Sequence, residues 1–324
     1  MKPGRLSKLL RRSPPVAADV SAALDELSRV AKDRSFLSRH TAVLAEIFPV
    51  MFAKADTSVL VNPVDESRAR AKLEAGIPIL RGESVCPDVA EFEKRWRAIS
   101  AKLRLETLSV QQTRMSEAPA EPEASAKATR REPRRTTSDQ PQLGRLLGRE
   151  GWSCEALIRD VLSGDIDKIL TQAEADGVAV ELLKTVLRLT LFPVLSRLRI
   201  QQQAVLQQSR WQAGCCPVCG SAPLLAEFRG LEQIRFLRCG LCAADWEFPR
   251  LQCPHCGNRD HRQLGYFHVE HEQDKFRAAT CDVCHGYVKT ASTLAALDGP
   301  QLLVMDVATM HLDLAAIERG FHSH

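Results

Sequence analysis

Four pairs of cysteines occupy one short stretch of this sequence: CPVCG at 216–220, CGLC at 239–242, CPHCG at 253–257 and CDVC at 281–284. Each pair has two residues between its members, so one tight turn can present two thiolates to a single ion. A second such turn completes a tetrahedral site with each sulfur about 2.3 Å from the metal. Proline and glycine in CPVCG and CPHCG are typical of rubredoxin-type and zinc-ribbon knuckles. The spacing therefore predicts two metal sites built from cysteine alone.

The eight predicted ligands divide most simply in chain order. Residues 220–238 separate the first two pairs and residues 257–280 the last two, and both spacings are near those of ribbons. The predicted ligand sets are Cys216, Cys219, Cys239 and Cys242 for the first site, and Cys253, Cys256, Cys281 and Cys284 for the second. A crossed arrangement, which joins the first pair to the third and the second to the fourth, is the alternative.

The predicted metal ions, one per site, are structural. Four sulfur ligands leave no open position for a substrate or an activated water, and they suit iron as well as zinc. Residues 213–290 are too few for a self-sufficient core, whereas structural zinc contributes about 10–16 kcal/mol of apparent binding energy in zinc-finger peptides. We expect this region to be unfolded or molten without metal.

Other polar and sulfur-containing residues near the knuckles are predicted to lie outside the sites. The neighbouring histidines and Cys215 are surplus once two tetrahedral sites are filled, and Cys86 and Cys154 are interpreted as buried small apolar side chains. Three acidic residues near the knuckles are interpreted as solvated surface carboxylates: Glu227, Asp245 and Asp282.

The predicted fold class is α+β: an all-α domain or arm, then two small rubredoxin-like or zinc-ribbon modules and a C-terminal helix. Residues 116–142 contain no Val, Ile, Leu, Phe, Trp or Tyr, so they cannot bury enough apolar surface to order the chain. The predicted units are an N-terminal helical region at 1–115, a flexible linker at 116–142, a second helical region at 143–212, a first module at 213–249, a second module at 250–290, and a C-terminal helix with a tail at 291–324.

Helical periodicity supports the two helical regions. Phe92, Trp96 and Ile99 recur at helical steps after Asp88, a residue suited to cap a helix start. In the second region, Gly164 and Asp165 predict a break between two helices. A longer helix follows from about Val178, and Pro193 is predicted to kink or end it.

Charge and hydropathy narrow the function class. The chain has 44 basic and 40 acidic residues, a formal net charge of +4, which argues against a dedicated nucleic-acid binder. The most apolar stretch, 182–194, contains Lys184 and Arg188 and is too short to span a bilayer. Arg11 and Arg12 are followed by prolines and Asp19 instead of the apolar run of an export signal, so we expect a cytoplasmic protein with reduced thiols.

Several runs resemble the FdhE family of formate dehydrogenase accessory proteins. They are RFLRCGLC at 235–242, DW at 245–246, RLQC at 250–253, GYVKT at 286–290, DVA at 306–308 and HLDL at 311–314, with a fainter likeness in GIPIL at 76–80. The resemblance implies a helical arm with two rubredoxin-like modules that hold iron or zinc. It also implies a cytoplasmic, non-catalytic assembly chaperone that acts on the catalytic subunit of molybdenum or tungsten formate dehydrogenases.

The leading hypothesis is therefore an assembly protein whose metal modules support a protein-docking surface. Trp246, Arg250 and Tyr287 are the candidate residues for that surface, although packing over the first site explains Trp246 equally well. The alternatives are a rubredoxin-like iron redox protein and, less favoured by the charge balance, a zinc ribbon that binds nucleic acid.

Overall fold

The computed structural model describes residues 20–53, 64–85, 87–116, 143–269, 271–272 and 274–323. Most of the predicted linker (117–142) and Cys86 lie outside these residues. The α-helices of the described residues, in chain order, are α1 Val20–Asp33, α2 Ser38–Met51, α3 Glu66–Glu74, α4 Val89–Ser116, α5 Cys154–Ser163, α6 Ile166–Ala175, α7 Val180–Gln201, α8 Gln203–Gln208, α9 Gly299–Ala308 and α10 Met310–Glu318. The strands are β1 Pro223–Arg229, β2 Ile234–Cys239, β3 Asp245–Glu247, β4 Leu264–Phe267, β5 Phe276–Cys281 and β6 Tyr287–Thr293.

Helix α4 of the first helical region packs against the second helical region. It begins one residue after Asp88, whose Oδ1 accepts the backbone N–H of Glu91 at 3.1 Å. Phe92, Trp96 and Ile99 are all buried, as their spacing predicts. The Trp96 indole Nε1 donates to the carbonyl of Leu143 at 2.7 Å, so the helical residues on the two sides of 117–142 share one core.

The second helical region follows the predicted break. Gly164, at φ +88°, ends α5 in the left-handed conformation that favours glycine, and α6 starts two residues later. Helix α7 runs through Pro193 and continues to Gln201. The neighbouring side chains Phe192 and Leu195 are fully buried, and this packing offsets the hydrogen bond that proline cannot make.

The strands of the described residues form one six-stranded sheet in the order β3-β2-β1-β6-β5-β4. Neighbouring strands are antiparallel except for β1 and β6, which run parallel with Leu225 opposite Lys289 and Arg229 opposite Thr293. Each cysteine-bearing ribbon thus supplies three strands, and the β1–β6 pair fuses the two ribbons edge to edge. The domain boundaries predicted above stay predictions.

The C-terminal segment forms two helices in place of the single predicted one. Asp298 and Gln301 form a reciprocal capping box at the start of α9, with Pro300 in its first turn. Thr309 separates α9 from α10, and its Oγ1 donates to the carbonyl of Met305 at 2.8 Å. The backbone N–H of Thr309 donates to the same carbonyl at 3.1 Å, so Thr309 completes the last turn of α9.

The core is unequally shared between the two ribbons. Leu302 and Leu303 of α9 belong to the main core, together with the helical domain and the first ribbon. The second ribbon packs a smaller cluster, including Phe276 and Tyr287, under Leu312 and Ala316 of α10. Among the helices of the described residues, none combines the length and apolarity that a bilayer crossing needs. The observed architecture confirms the predicted class of a helical domain followed by a cysteine-bearing sheet region.

Candidate metal centres

The first cysteine cluster gathers the sulfurs of Cys216, Cys219, Cys239 and Cys242. Their Sγ atoms lie 3.5 Å apart for Cys216 and Cys242, 3.4 Å for Cys219 and Cys239, and 3.8 Å for Cys219 and Cys242. A tetrahedron with bonds of about 2.3 Å has edges of about 3.8 Å, so the four sulfurs fit around one ion.

Backbone geometry shapes the first knuckle. The N–H of Cys216 donates to the carbonyl of Ser221 at 2.8 Å, and the N–H of Gly220 donates to the carbonyl of Cys216 at 3.0 Å. Gly220 has φ +81°, a conformation in which a Cβ would be strained. The N–H of Val218 points at Cys216 Sγ at 3.4 Å. The CPVCG sequence therefore forms the sharp turn that brings two sulfurs to one point.

The second cluster repeats this arrangement with Cys253, Cys256, Cys281 and Cys284. Its cross-pair Sγ distances are 3.7 Å for both Cys253 to Cys284 and Cys256 to Cys281. The structure thus has the sequential grouping of the cysteine pairs, not the crossed one. No histidine of the described residues belongs to either cluster, and Cys215 also lies outside them. The two groups could hold metal ions; that they do so stays a prediction.

The two clusters differ in exposure. All four cysteines of the first are at most 2% exposed, because the main core surrounds them. In the second, Cys256 is exposed and Cys284 half-buried. Water and chelators therefore have a direct route to the second cluster only.

Burial and mutual hydrogen bonds set the acidity of the thiols. Burial raises the pKa of Cys216 and Cys242, whereas hydrogen bonds from the other thiols lower the pKa of Cys219. In the second cluster, burial opposes ionisation of Cys281, but backbone N–H donors outweigh it and lower its pKa to about 7. Each cluster thus has one thiol predisposed to be the thiolate, and an incoming cation must displace protons from the rest.

The exposure difference gives a prediction about metal release. We expect a chelator to remove metal from the second cluster well before the first, since only the second contains a solvent-exposed cysteine. Metal per chain, measured by elemental analysis during chelation, should fall in two steps. The Cys281→Ser, Cys284→Ser variant should lack the fast step, and the Cys215→Ser control should keep both. Release of both ions in a single step from the wild type would contradict this expectation.

The helical domain contacts the first knuckle through the GIPIL segment. The N–H groups of Ile79 and Leu80 donate to the carbonyls of Pro217 and Val218, both at 2.9 Å. Lys72 of α3 steadies this segment by donating to the carbonyl of Ile79 at 2.9 Å. The faint family likeness at 76–80 thus marks residues that dock the helices onto the first cluster.

The strands of the first ribbon contain a buried network of charged side chains. Glu227 is 0% exposed and accepts from Arg229 Nε at 2.7 Å and from Arg238, while Arg229 also reaches Asp245 at 2.6 Å. The interpretation of Glu227 as a solvated carboxylate is therefore wrong, and Asp245 is half-buried in an ion pair. Asp282 is exposed as predicted. Glu227 is buried because β1 lies in the middle of the sheet, where successive residues, which face opposite sides, are all buried or half-buried.

A second ion cluster joins the second ribbon to the C-terminal helices. Lys289 of β6 donates to Asp306 of α9 and Asp313 of α10, both at 2.7 Å. Burial acts against the charged form of Lys289, but these two carboxylates outweigh it and raise its pKa. No sequence pattern predicts this role for Lys289. A lysine inside the otherwise strand-like run 287–293 was the signal available.

The three candidate docking residues lie in different surroundings. Trp246 and Tyr287 are 5% and 6% exposed: the indole Nε1 donates to the carbonyl of Ala213 at 3.0 Å and the phenol to Asp313 at 2.8 Å. Arg250 is exposed, with its guanidinium over the Phe228 ring. Their role in partner binding stays a prediction, and the buried pair could act only by supporting a surface.

The fold and the two clusters together define a class: proteins in which a helical domain carries a fused pair of tetracysteine ribbons. Residues 215–250 match the family model described as FdhE, central domain, and residues 251–324 match FdhE, C-terminal domain. These two matches, over residues 215–324, support membership of the FdhE family.

Curated proteins named FdhE homolog are similar to this chain in sequence. A Protein FdhE homolog of Aquifex aeolicus (strain VF5) is 32% identical over 161 residues, which are 48% of this chain and 55% of that protein. One of Stutzerimonas stutzeri (strain A1501) is 37% identical over 110 residues, 33% of this chain and 35% of the relative. The matches therefore span about half of the first relative and about a third of the second.

A solved structure of similar fold extends the comparison to nearly the whole chain. The crystal structure of the FdhE protein from Pseudomonas aeruginosa superposes on 96% of this chain and 95% of its own, with a TM-score of 0.59 and 22% identity. The fold is thus similar over most of both chains.

Proposed function

We propose that this chain is a cytoplasmic, non-catalytic accessory protein for the assembly of formate dehydrogenase and binds its catalytic subunit. The FdhE central and C-terminal domains at 215–324 carry this proposal. In this function the eight clustered cysteines bind two metal ions, iron or zinc, and stabilise the scaffold that meets the partner.

The cluster geometry supports a structural role for the metals. Four sulfurs complete a tetrahedral shell, so a bound ion keeps no position open for a substrate. Around the first cluster, the helical domain is attached through the paired backbones of 79–80 and 217–218. A metal ion there would therefore hold the helices and the sheet in one fixed orientation, which is what a preorganised binding surface requires.

Deletion of the gene tests the proposal. We expect cells without this chain to contain formate dehydrogenase catalytic subunit but to lose most formate oxidation, because the subunit is not matured. Activity should return on expression of the wild-type chain, and the chain should co-purify with the catalytic subunit. An immunoblot for that subunit separates failed maturation from failed synthesis. Full activity in the deletion strain would refute the accessory role.

Electron transfer by iron is the second candidate function, and the exposure of Cys256 favours it. A cysteine ligand at the surface would offer a short path for an electron to a redox partner. Ferric tetrathiolate absorbs visible light and bleaches on reduction, whereas a zinc site is colourless and redox-silent. Purified protein with stoichiometric iron that cycles reversibly at the second cluster would support this candidate, and zinc at both clusters would exclude it.

A further inference from the structure

A cavity of about 860 Å³ lies where the helical domain meets the first ribbon. The end of α7, helix α8 and the connection 209–212 form one wall, and strands β2 and β3 form the other. Strand β3 is the edge strand of the sheet, so the cavity borders a margin of the fold. Two candidate docking residues, Trp246 and Arg250, line it.

Arg199 contributes a buried positive charge to the wall of the cavity. This side chain is 8% exposed, makes no ion pair within the described part of the chain, and its Nε has no acceptor. A buried cation without a counter-charge costs free energy, and proteins normally pair it. Arg229 and Arg238, buried nearby, show the usual arrangement, since both bond to Glu227.

A second buried arginine of the same cavity is also incompletely satisfied. Arg235 is 4% exposed and donates through Nη1 to the carbonyl of Gln252 at 3.0 Å, but its Nε has no acceptor. Four arginines line the cavity against three acidic residues, and one of those, Asp245, already accepts from Arg229. The lining of the cavity therefore has an excess of positive charge, which favours an acidic ligand.

The remaining walls suit a peptide better than a lone anion. Trp211, Trp246 and Phe248 supply aromatic surface, and Gln207 and Gln208 supply amides that can bond to a peptide backbone. The volume is within the range of about 300–1,000 Å³ typical of ligand sites and far exceeds one inorganic ion. We propose that this cavity binds an acidic segment of a protein partner, whose Asp or Glu carboxylate pairs with Arg199. The choice of a protein ligand rests on the proposed function.

The experiment combines stability with peptide binding. Random peptides displayed on phage are selected on the immobilised full-length chain, and the strongest is synthesised together with its Asp→Asn or Glu→Gln counterpart. A change in tryptophan emission reports binding, since two of the four tryptophans, Trp211 and Trp246, line the cavity. We expect Arg199→Met and loss of the peptide carboxylate each to weaken binding about thirtyfold or more. Both changes together should cost little more than either alone, since they remove the same contact.

Stability separates a binding role from a structural one. Arg199→Met keeps an unbranched stem and removes an unpaired buried charge, so the melting temperature of the free protein should stay the same or rise. Arg197→Met, on the same helix but outside the cavity, is the matched control and should leave peptide binding unchanged. A large loss of stability in Arg199→Met would assign a structural role and overturn the proposal.

Other outcomes are equally decisive. No selected peptide, peptides that need no acidic residue, or additive effects of the two changes would each overturn the acidic-segment site. So would free glutamate binding as tightly as the peptide, because the ligand would then be a small carboxylate. Binding of purified formate dehydrogenase catalytic subunit to the wild-type chain is measured separately. If it fails to bind the wild-type chain while acidic peptides bind through Arg199, the partner proposed above is wrong but the site stands.

Discussion

Replacing Cys216 and Cys219 with serine should remove one metal ion per chain and disrupt the helical domain as well as the first ribbon. The first cluster lies inside the main core, and the knuckle carbonyls of Pro217 and Val218 accept from residues 79–80. Structural zinc contributes about 10–16 kcal/mol in zinc-finger peptides, as much as the whole unfolding free energy of about 5–15 kcal/mol of a typical domain. Elemental analysis and circular dichroism during thermal unfolding measure the two effects.

The matched control is the pair Cys281→Ser and Cys284→Ser in the second cluster. This variant should also lose one ion, but the helical signal and its main melting transition should persist, because the second ribbon contributes Val288 to the main core and packs mainly in the smaller cluster under α10. Cys215→Ser, next to the first knuckle but outside the cluster, should keep both ions. Equal damage from both double variants, or full metal retention in the first, would contradict the assigned roles.

Replacing Glu227 with glutamine should lower the free energy of unfolding by about 3–5 kcal/mol, the usual cost of removing one partner of a buried ion pair. The carboxylate accepts from Arg229 and Arg238, and Thr293 Oγ1 donates to it at 3.2 Å, so it holds β1, β2 and β6 together. The amide has nearly the same volume but leaves Arg238 without its carboxylate. Chemical denaturation of the metal-loaded protein measures the change.

Glu232→Gln is the control for this prediction. It makes the same chemical change on the exposed turn between β1 and β2, where the expected effect is within about 0.5 kcal/mol. A loss of similar size in both variants would show that net charge, not the buried network, matters. An unchanged stability in Glu227→Gln would mean that the network is energetically neutral.

Local sequence was sufficient for several features because each depends on residues close together in the chain. The turns at 216–220 and 253–257 need only their cysteines, a proline and a glycine to aim two sulfurs at one point. The stripe of Phe92, Trp96 and Ile99 and the break at Gly164 likewise follow from helical periodicity and a left-handed glycine. Pro193 does not end α7, because the buried side chains around it stabilise the helix through that position, and the alternative of a kink stays a prediction.

The eight cysteines that form the two clusters, the helical character of the first half and the cysteine-rich second half were thus determined by sequence alone, since spacing and periodicity encode them. The sequential grouping, the fusion of two ribbons through parallel β1 and β6, and the different exposure of the clusters were decided by the tertiary structure. The tertiary structure also decided that Glu227 is buried and that Arg199 has no counter-charge among the described residues. The physical reason is that burial and charge pairing depend on which distant segments meet. No local pattern distinguishes an arginine facing water from one enclosed between a helix and a sheet.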